Sequence, residues 1–468
     1  MREMIENRTF DEIQVGDSAS LEKELTHRDI KLFAVMSGDV NPAHVDEEYA
    51  RDSRFHEVVA HGMWGGSMIS TILGTQLPGP GTVYLSQFLR FLKPIGVGDR
   101  VLATVRVREK NGGKDRITLD CRVTNDDGEV VIDGTAEVLA PTEKITRPRW
   151  ALPEILLQEH PHFEKYLHAA RARARDTAPL PTAVVHPVDT ASLAGALTSA
   201  GEGLIRPILV GPEQKIRSSA EEAGLDLAGI EVVNTKHSHE AAEKAVELVR
   251  QGVAEALMKG SLHTDELMKP ILDKTTGLRT GRRMSHVFAF DVPSHGRPLF
   301  ITDAALNISP GLEHKADIVR NAIDLGKALA IDVPKVAILS AVETVAPQIT
   351  STLDAAALCK MADRRQITGG VLDGPLAFDN AISVAAAAIK GIESPVAGQA
   401  DILVVPDLEA GNMLAKQLEY LAGAEGAGIV LGARVPVILT SRADNTATRL
   451  ASSALAVLWR QYQTRGES

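Results

Sequence analysis

Residues 37–44 read Ser37-Gly38-Asp39-Val40-Asn41-Pro42-Ala43-His44, and they place a carboxylate, an amide and an imidazole within six positions. The backbone here is poorly suited to a continuous helix, because Gly38 is conformationally free and Pro42 disfavours the α region for the residue before it. The three polar side chains are therefore predicted to lie together on a turn, where they offer an acid, a base and a hydrogen-bonding group. A purely structural alternative is an Asx-rich turn that caps the helical segment 46–51.

The residues around this turn predict a short helix and an antiparallel sheet. Thr26 and Asp29 have the spacing of a capping box at the start of an apolar helix over 30–36. Alternation of apolar and mostly polar residues indicates half-buried strands at 101–107 and 117–123. Turns rich in Asn, Asp and Gly separate these segments from each other and from residues 130–139. Short strands joined by turns favour an antiparallel sheet.

The motif itself matches a known family. The run Gly38-Asp39-x-Asn41-Pro42-x-His44, followed after five residues by Ala50, resembles the hydratase motif of R-specific (MaoC-like) enoyl-CoA hydratases. Residues 59–63 resemble the start of that family's central helix, and residues 81–94 and 97–99 resemble its first long sheet segment. The resemblance covers about residues 8–142. It implies an α+β hot-dog domain over residues 1–142, in which an antiparallel sheet wraps around a long helix.

The resemblance also implies a site and a reaction. In the family, the Asp and the His of the motif activate one water molecule, so Asp39 and His44 are expected to do so here, with Asn41 orienting them. The product expected from a 2-enoyl-CoA is an (R)-3-hydroxyacyl-CoA. The family's donor to the developing enolate oxygen is a backbone N–H at the start of the central helix, which corresponds to Gly62, and helix-end N–H groups lack intrahelical partners. The neighbouring His61 is expected to pack or to cap the helix rather than to react.

Length, charge and cysteine content set wider limits. A chain of 468 residues predicts roughly two to four domains. The net charge of −11 disfavours a nonspecific nucleic-acid role. Two distant cysteines, Cys121 and Cys359, give no disulfide framework and fit a reducing compartment. Neither a signal peptide nor an apolar run of membrane-spanning length is visible. These features predict a cytoplasmic protein with neither a nucleic-acid nor a membrane partner.

The sequence changes character after residue 139. Residues 140–150 are polar and contain prolines, and a linker is predicted over 143–159. A helix over 160–174 follows, and Asp189 is predicted to cap a helix over 190–199. Apolar strands then alternate with helices, which favours a largely parallel α/β sheet. About 300 residues is long for one such domain, so two subdomains with a cleft between them are expected. The predicted strands cover residues 182–185, 206–210, 230–233, 254–258, 336–339, 402–405, 428–431 and 435–439.

Several ordered blocks of this second half match another family. They are Leu257-Met258-Lys259-Gly260, residues 283–288 (Arg-Met-Ser-His-Val-Phe), residues 302–307 (Thr-Asp-Ala-Ala-Leu-Asn), residues 373–377, residues 400–406, Ala410-Gly411-Asn412 and Thr440-Ser441-Arg442. In this order they resemble the phosphate acetyl/butyryltransferase family, over about residues 160–466. The family transfers an acyl group between the sulfur of CoA and inorganic phosphate. The resemblance implies a domain of this kind over residues 160–468.

The resemblance places anion-binding and polar groups at defined positions. Arg283 and Arg442 correspond to the family's anion-binding arginines, and a guanidinium can bind two phosphate oxygens at once. Ser441 is expected to hydrogen-bond the thioester carbonyl or the phosphate. Ser441 and Arg442 follow a strand and precede a helix, which is where α/β folds collect ligands. Asp303 and Asn307 are expected to line the cleft or to hold its loops. For Arg442 the structural alternative is a surface ion pair.

One position departs from the acetyl-transferring pattern. Those members carry an aspartate seven residues after the serine as the proposed base for the CoA thiol, and here that residue is Thr448. Asp444 lies four residues earlier, but it is also a candidate cap for the last helix. The departure favours a butyryl-like or broader acyl preference, or a different base. It also leaves open a second half that only binds ligands or builds an oligomer.

Together the two resemblances imply a bifunctional enzyme that uses CoA thioesters and inorganic phosphate as substrates, with no permanently bound cofactor and no metal. The main alternative is a hydratase whose second half is a non-catalytic module for oligomerisation and acyl-CoA binding. A lesser alternative makes the first half a thioesterase-like or binding domain, although hot-dog thioesterases generally lack the Asp39/His44 motif. Both families imply a homo-oligomer, at least a dimer.

Overall fold

The computed structural model describes residues 4–111, 113–150, 161–440 and 444–466. The chain divides into two compact units, Met1–Leu157 and Gln158–Ser468. Cys121 and Cys359 are both free thiols, as predicted. Among the described residues, none of the helices combines the length and the apolar character needed to cross a membrane.

The first unit is a five-stranded antiparallel sheet with a central helix, which confirms the predicted hot-dog fold. The sheet order is β2-β4-β5-β6-β3, and β1 pairs with β7 in a separate two-stranded ladder. The elements, in chain order, are β1 (Met4–Glu6), β2 (Ser18–Glu24), α1 (His27–Ser37), α2 (Pro42–Val45), α3 (Glu47–Asp52), α4 (Gly62–Thr75), β3 (Val83–Phe91), β4 (Arg100–Asn111), β5 (Arg116–Asn125), β6 (Val130–Leu139) and β7 (Thr146–Pro148).

Alternating burial along the strands fixes which face of this sheet covers α4. Val101, Val105 and Val107 of β4 are buried, and the apolar residues of β5 follow the same rule. They share one core with the buried face of α4. Each fully buried aliphatic side chain of this kind contributes about 1.5–3 kcal/mol relative to exposure. Gly65 permits the close approach, because a Cβ at that position would lie 2.4 Å from Cδ1 of Ile132.

The capping box at the start of α1 is confirmed. The side chain of Thr26 accepts a hydrogen bond from the backbone N–H of Asp29 at 3.1 Å, and the N–H of Thr26 donates to Oδ2 of Asp29 at 3.1 Å. At the other end, Gly38 has φ = 75°, a left-handed conformation that stops the helix. The turn after α1 therefore begins where the sequence predicts it.

The second unit contains one large mixed sheet with helices on both faces. Its elements, in chain order, are α5 (Pro161–Asp176), β8 (Leu180–Val185), α6 (Thr190–Gly201), β9 (Ile205–Gly211), α7 (Glu213–Glu222), β10 (Glu231–Asn234), α8 (Ser238–Arg250), β11 (Ala256–Lys259), α9 (Thr264–Ile271), β12 (Ser285–Asp291), β13 (Leu299–Thr302), α10 (Leu312–Ala328), β14 (Lys335–Leu339), α11 (Thr350–Asp363), β15 (Val371–Leu376), α12 (Phe378–Ile382), α13 (Val384–Ile389), β16 (Ile402–Val404), α14 (Leu408–Leu421), β17 (Glu425–Leu431), β18 (Val437–Ile438) and α15 (Thr446–Thr464).

Eleven described strands form this sheet in the order β10-β9-β8-β11-β18-β17-β12-β13-β16-β14-β15. The strands from β10 to β18 run parallel, and so do those from β13 to β15. The pairs β18–β17, β17–β12 and β12–β13 are antiparallel and join the two parallel halves. The sheet is therefore largely parallel, as predicted. The antiparallel centre was not predicted from the sequence.

Candidate active sites

The turn after α1 holds its polar residues by short-range hydrogen bonds. Oδ1 of Asn41 accepts from the N–H of Ala43 at 3.1 Å, so this side chain caps α2. The N–H of Asn41 in turn donates to Oδ1 of Asp39 at 3.2 Å. Asp46 caps α3 by accepting from the N–H of Tyr49 at 3.0 Å. The capping expected from the structural alternative is thus present, but it uses the side chains of Asn41 and Asp46 and leaves those of Asp39 and His44 available.

Asp39, His44 and His61 converge at this turn. Each side chain has one oxygen or nitrogen atom within 4.8 Å of the corresponding atoms of the other two. Asp39 is exposed and His44 is partly buried. Nδ1 of His44 lies 2.8 Å from the carbonyl oxygen of Val59, to which it donates in the tautomer that fits this contact. Nε2 of His44 then carries the lone pair and can act as a base.

His61 is more closely involved than the sequence predicted. It is only 2% exposed and its ring centroid lies 4.0 Å from that of His44. Its Nε2 donates to the backbone carbonyl oxygen of Asp39 at 2.9 Å. Although His61 occupies the N-cap position of α4, its side chain makes no capping bond there. It therefore packs, as expected, and its contacts are with the ring of His44 and the backbone carbonyl of Asp39.

Gly62 is the first residue of α4. Its N–H belongs to the helical turn that has no intrahelical acceptor, which is what an oxyanion donor requires. A Cβ at this position would lie 3.1 Å from two ring carbons of Phe91, so glycine allows the helix end and this ring to lie close together. Exposed apolar side chains flank these residues in the chain, namely Met36, Val40 and Met63.

In the second unit, Arg283 is held by a network around the loop after β13. Its Nε donates to Oδ1 of Asn307 at 2.7 Å, and its backbone N–H donates to Oδ2 of Asp317 at 2.9 Å. Nδ2 of Asn307 donates to the carbonyl oxygen of Met284 at 2.9 Å and lies 2.5 Å from Oδ2 of Asp303. The structure therefore brings together the three residues that the sequence predicted for substrate or phosphate binding.

Asp303 and Asn307 differ from Arg283 in their surroundings. Both are 3% exposed. Oδ1 of Asp303 accepts from the N–H groups of Ala305 at 2.9 Å and Leu306 at 3.0 Å. These contacts fix the backbone of residues 303–307, so the two side chains hold a loop and orient Arg283.

A cavity of about 660 Å³ lies beside Arg283. Four cationic side chains line it, and its remaining wall is mostly apolar. Its lining includes Lys269, Arg279, Arg282 and Arg283, together with Met268, Leu272, Met284, Leu306, Ile308 and Leu408. One of the cations, Arg282, is paired with Asp324. Lys269, Arg279 and Arg282 were not predicted from the sequence, although three arginines within residues 279–283 were a visible signal.

Thr448 lines a second cavity, of about 310 Å³, with Phe288, Lys416 and Asp444. Burial opposes the charged form of Lys416, but its hydrogen bond and ion pair with Glu419, together with the nearby Asp444 and Tyr420, raise the pKa of this ammonium group. Oδ1 of Asn445 accepts from the N–H of Thr448 at 2.8 Å and caps α15. The expectation that Asp444 caps this helix is therefore wrong.

Ser441 and Arg442 lie outside the described residues. Thr440, just before them, is buried and accepts a hydrogen bond from Nη1 of Arg449 at 2.9 Å. Nζ of the buried Lys259 lies 3.4 Å from the carbonyl oxygen of Thr440. Burial lowers the pKa of Arg449 despite two nearby carboxylates. Neither Lys259 nor Arg449 was predicted from the sequence, although a lysine in the apolar strand β11 was a signal.

His286, on β12, is fully buried beside Phe288, with ring centroids 4.3 Å apart. Removal from water disfavours the imidazolium form and lowers the pKa of His286 to about 4, although the nearby Asp303 acts in the opposite direction. The imidazole is therefore neutral at pH 7. Protonation of this buried group in acid is therefore expected to destabilise the packing around β12.

Both halves of the chain are similar to known families. Residues 12–128 match the model of the MaoC like domain, and residues 235–457 match that of the phosphate acetyl/butaryl transferases. A phosphate acetyltransferase of Rhizobium meliloti is 65% identical over 64% of this chain and 93% of its own length. A phosphate butyryltransferase of Clostridium acetobutylicum is 47% identical over 55% of this chain and 85% of its own length. A branched-chain phosphotransacylase structure from Enterococcus faecalis V583 aligns with 60% of this chain and 99% of its own, at 30% identity and a TM-score of 0.54.

Proposed function

Because the chain belongs to the phosphate acetyl/butyryl transferase family and carries a MaoC-like domain before that region, we propose that it is a bifunctional enzyme acting on acyl-CoA. One activity hydrates a 2-enoyl-CoA to an (R)-3-hydroxyacyl-CoA. The other exchanges an acyl group between CoA and inorganic phosphate. The observation that carries the proposal is the joining of these two domains in one chain, since both reactions use an acyl-CoA thioester. We place both reactions in the cytoplasm.

In the proposed hydration, Asp39 and Nε2 of His44 bind one water molecule between them. The pair removes a proton from this water as its oxygen adds to Cβ, and returns a proton to Cα. Negative charge develops on the thioester oxygen during the addition, and the N–H of Gly62 stabilises it. His44 is held in the required tautomer by its contact with Val59, 2.8 Å away. Asn41 contributes indirectly, because its N–H donates to Asp39 at 3.2 Å.

In the proposed acyl transfer, a phosphate oxygen attacks the carbonyl carbon of the thioester. The carbon–sulfur bond breaks, CoA leaves as a thiolate that takes up a proton, and an acyl phosphate remains. Arg283 supports this role because it lines a cation-rich cavity and is held by Asn307 at 2.7 Å. From the family resemblance, Arg442 adds a second cation and Ser441 a hydrogen bond. A guanidinium binds phosphate through charge-assisted hydrogen bonds, which are stronger than hydrogen bonds between neutral groups.

Two observations bear on which acyl group is transferred, and they favour different answers. Thr448, in place of the acetyl-type aspartate, favours a butyryl-like preference. The higher identity to a relative named phosphate acetyltransferase, 65% against 47% for one named phosphate butyryltransferase, favours acetyl-CoA. We propose that acetyl-CoA is a substrate and that longer short-chain acyl groups are also accepted.

A homo-oligomer is the proposed assembly. β3 lies at one edge of the five-stranded sheet. Large apolar side chains on it are exposed, including Val83 at 52%, Phe88 at 59% and Phe91 at 51%. An edge strand with exposed apolar side chains is suited to pairing with a second copy. Light scattering that gives the mass of a single chain at all concentrations would reject this assembly.

The direct test assays the full-length protein for both reactions. Crotonyl-CoA reports hydration, with chiral analysis of the 3-hydroxyacyl product. Acetyl-, propionyl- and butyryl-CoA, with and without phosphate, report acyl phosphate formation. The second candidate function, a hydratase with a non-catalytic second half, is favoured by Thr448. It gains support if the folded protein hydrates crotonyl-CoA and binds CoA but forms no acyl phosphate from any of the three thioesters.

A further inference from the structure

The three polar side chains at the turn after α1 have an arrangement that acid–base chemistry alone does not require. Two imidazoles and a carboxylate, from His44, His61 and Asp39, converge within 4.8 Å. The hydration proposed above uses Asp39 and His44, and it leaves the buried His61 without a chemical task. His61 is 2% exposed, and its Nδ1 has no hydrogen-bond partner among the described residues. A buried imidazole nitrogen without a partner is costly unless something occupies it.

The outer contacts of the three side chains leave one free donor atom on each. Nδ1 of His44 is engaged by the carbonyl of Val59 at 2.8 Å, which leaves its Nε2. Nε2 of His61 is engaged by the carbonyl of Asp39 at 2.9 Å, which leaves its Nδ1. In a metal-binding histidine, the ring nitrogen that does not bind the metal usually donates a hydrogen bond, often to a backbone carbonyl.

The carboxylate of Asp39 completes this set. Its Oδ1 accepts from the N–H of Asn41 at 3.2 Å, which leaves Oδ2. The side chain is exposed and sits on a turn, so it can change its rotamer with little cost. Backbone contacts therefore hold the two imidazoles, whereas the exposed Asp39 can adjust, and one donor atom of each side chain stays available.

We propose that Asp39, His44 and His61 form a binding site for a divalent transition metal, with Zn²⁺ as the fitting ion, and that the bound ion inhibits hydration. Two imidazole nitrogens and one carboxylate oxygen form a ligand set that suits Zn²⁺, with water in the remaining position. Ligand atoms about 2.1 Å from the ion lie about 3.4 Å apart in a tetrahedral site, so the three side chains, which offer atoms within 4.8 Å of one another, must approach one another further to bind the ion.

Inhibition follows from which lone pairs the ion takes. The catalytic water needs the same Asp39 oxygen and the same His44 nitrogen as acceptors, and a metal-bound lone pair cannot accept a proton. The ion is thus an inhibitor and not a cofactor. The inhibition rests on the hydratase function proposed above, whereas the binding of the ion does not.

The activity test uses the full-length protein and crotonyl-CoA in a buffer without phosphate or free thiol, because both bind Zn²⁺. We expect saturating Zn²⁺ to lower hydration at least tenfold and EDTA to restore it. Mg²⁺, which prefers oxygen ligands, should have no effect. His61→Gln keeps a donor for the carbonyl of Asp39 but lacks the imidazole, and it should raise the Zn²⁺ concentration for half-inhibition by at least about tenfold. The matched control is His27→Gln, since His27 is exposed at the start of α1.

A second readout does not depend on catalysis. Co²⁺ should give the visible absorption of a nitrogen-coordinated ion with the wild-type protein and with His27→Gln. That absorption should be lost in His61→Gln and in His44→Ala, with thermal melting checking that each variant folds. Unchanged hydration in saturating Zn²⁺, or equal Zn²⁺ sensitivity of a folded His61→Gln variant, overturns the proposal. Absence of hydration in the metal-free wild type rejects the hydratase assignment instead, and the Co²⁺ spectrum then still decides whether the metal site exists.

Discussion

The candidate site of the first unit draws its groups from residues 39–62, whereas that of the second unit is assembled from residues as far apart as Lys259 and Arg449. In the first, the contacts that fix Asp39 and His44 run to backbone atoms of the same short segment. In the second, Arg283 depends on the loop after β13, and Thr440 meets cations from β11 and α15. In a local site, one side chain can be replaced with little effect on the rest of the fold. In a distributed site, each replacement also disturbs contacts between elements of the sheet. The following predictions test this difference.

The largest effect is expected at the local site. Asp39→Asn and His44→Ala should each lower hydration of crotonyl-CoA by at least about 10²-fold, the usual effect of removing a general acid or base. Neither change buries a new polar group, because Asp39 is exposed and His44 is only partly buried. Steady-state kinetics measure the loss, and acyl transfer by the same protein should stay at the wild-type rate.

The matched control for this prediction is Asp52→Asn, which changes an exposed carboxylate at the end of α3. It should leave hydration unchanged. Wild-type hydration by a folded Asp39→Asn protein would contradict the assignment of the first site.

The next effect concerns Arg283. Arg283→Ala should lower kcat/KM for phosphate-dependent acyl transfer by about 10- to 100-fold, which corresponds to the roughly 1.5–3 kcal/mol of a charge-assisted hydrogen bond. Arg283→Lys should restore only part of it, because a point charge loses the planar fork that binds Asn307 and phosphate together. Saturation curves with phosphate at fixed acetyl-CoA measure the effect.

Arg364→Ala is the control, since it removes an exposed arginine at the end of α11. Hydration should be unaffected in all three variants. Equal kinetics for Arg283→Ala and the wild type would remove Arg283 from the proposed phosphate site.

The same contrast explains how much the sequence could predict. Features set by nearest neighbours were confirmed, such as the capping box of Thr26 and Asp29 and the strand 130–139. The antiparallel centre was not predicted: β12 pairs with β13, which follows it in the chain, but its other partner, β17, is distant in the chain. The strand β15 (Val371–Leu376) was also not predicted, because it contains Gly374 and Pro375, which are atypical of a strand.

The candidate sites show the same limit at the level of single residues. The motif of residues 38–44 identified the groups of the first site, but the contact between His61 and Asp39 spans 22 positions and requires the fold. In the second unit, the short-range alternatives at a helix start could not be ranked: Asp444 and Asn445 are both good caps, and Asn445 takes the position. The roles of Lys259 and Arg449 depend on β11 and α15 meeting at Thr440, which requires the fold.

A smaller effect is expected from acid on the second unit. The pKa of His286 is about 4 when folded, against 6.5 for the ordinary value, because burial disfavours the charged form. Between these values the unfolded chain binds a proton that the folded chain does not. Stability is therefore complete above pH 6.5 and falls as the pH drops towards 4. At pH 5 the loss amounts to about 2 kcal/mol.

His286→Gln should reduce this acid-dependent loss, whatever it does to stability at pH 7. Hydrogen exchange of peptides from β12 and β17, corrected for intrinsic rates at pH 7 and pH 5, measures it for the second unit alone. His314→Gln, at an exposed position of α10, is the control and should keep the wild-type pH dependence. An unchanged pH dependence in His286→Gln would show that another group carries the acid sensitivity.

The smallest expected effect is a gain at the second site. Thr448 lines the 310 Å³ cavity and lies in the first turn of α15, where its N–H is capped by Asn445 at 2.8 Å. Thr448→Asp keeps that backbone contact, and an acidic side chain is favourable near a helix N-terminus. The new carboxylate can accept the proton of the CoA thiol, so acetyl transfer from acetyl phosphate to CoA should rise a few-fold. Thr448→Asn has nearly the same shape but cannot act as a base, and it should give no gain. If both variants raise the rate equally, or neither does, a base at position 448 does not accept the thiol proton, and the other polar groups lining this cavity, such as Asp444, become the candidates.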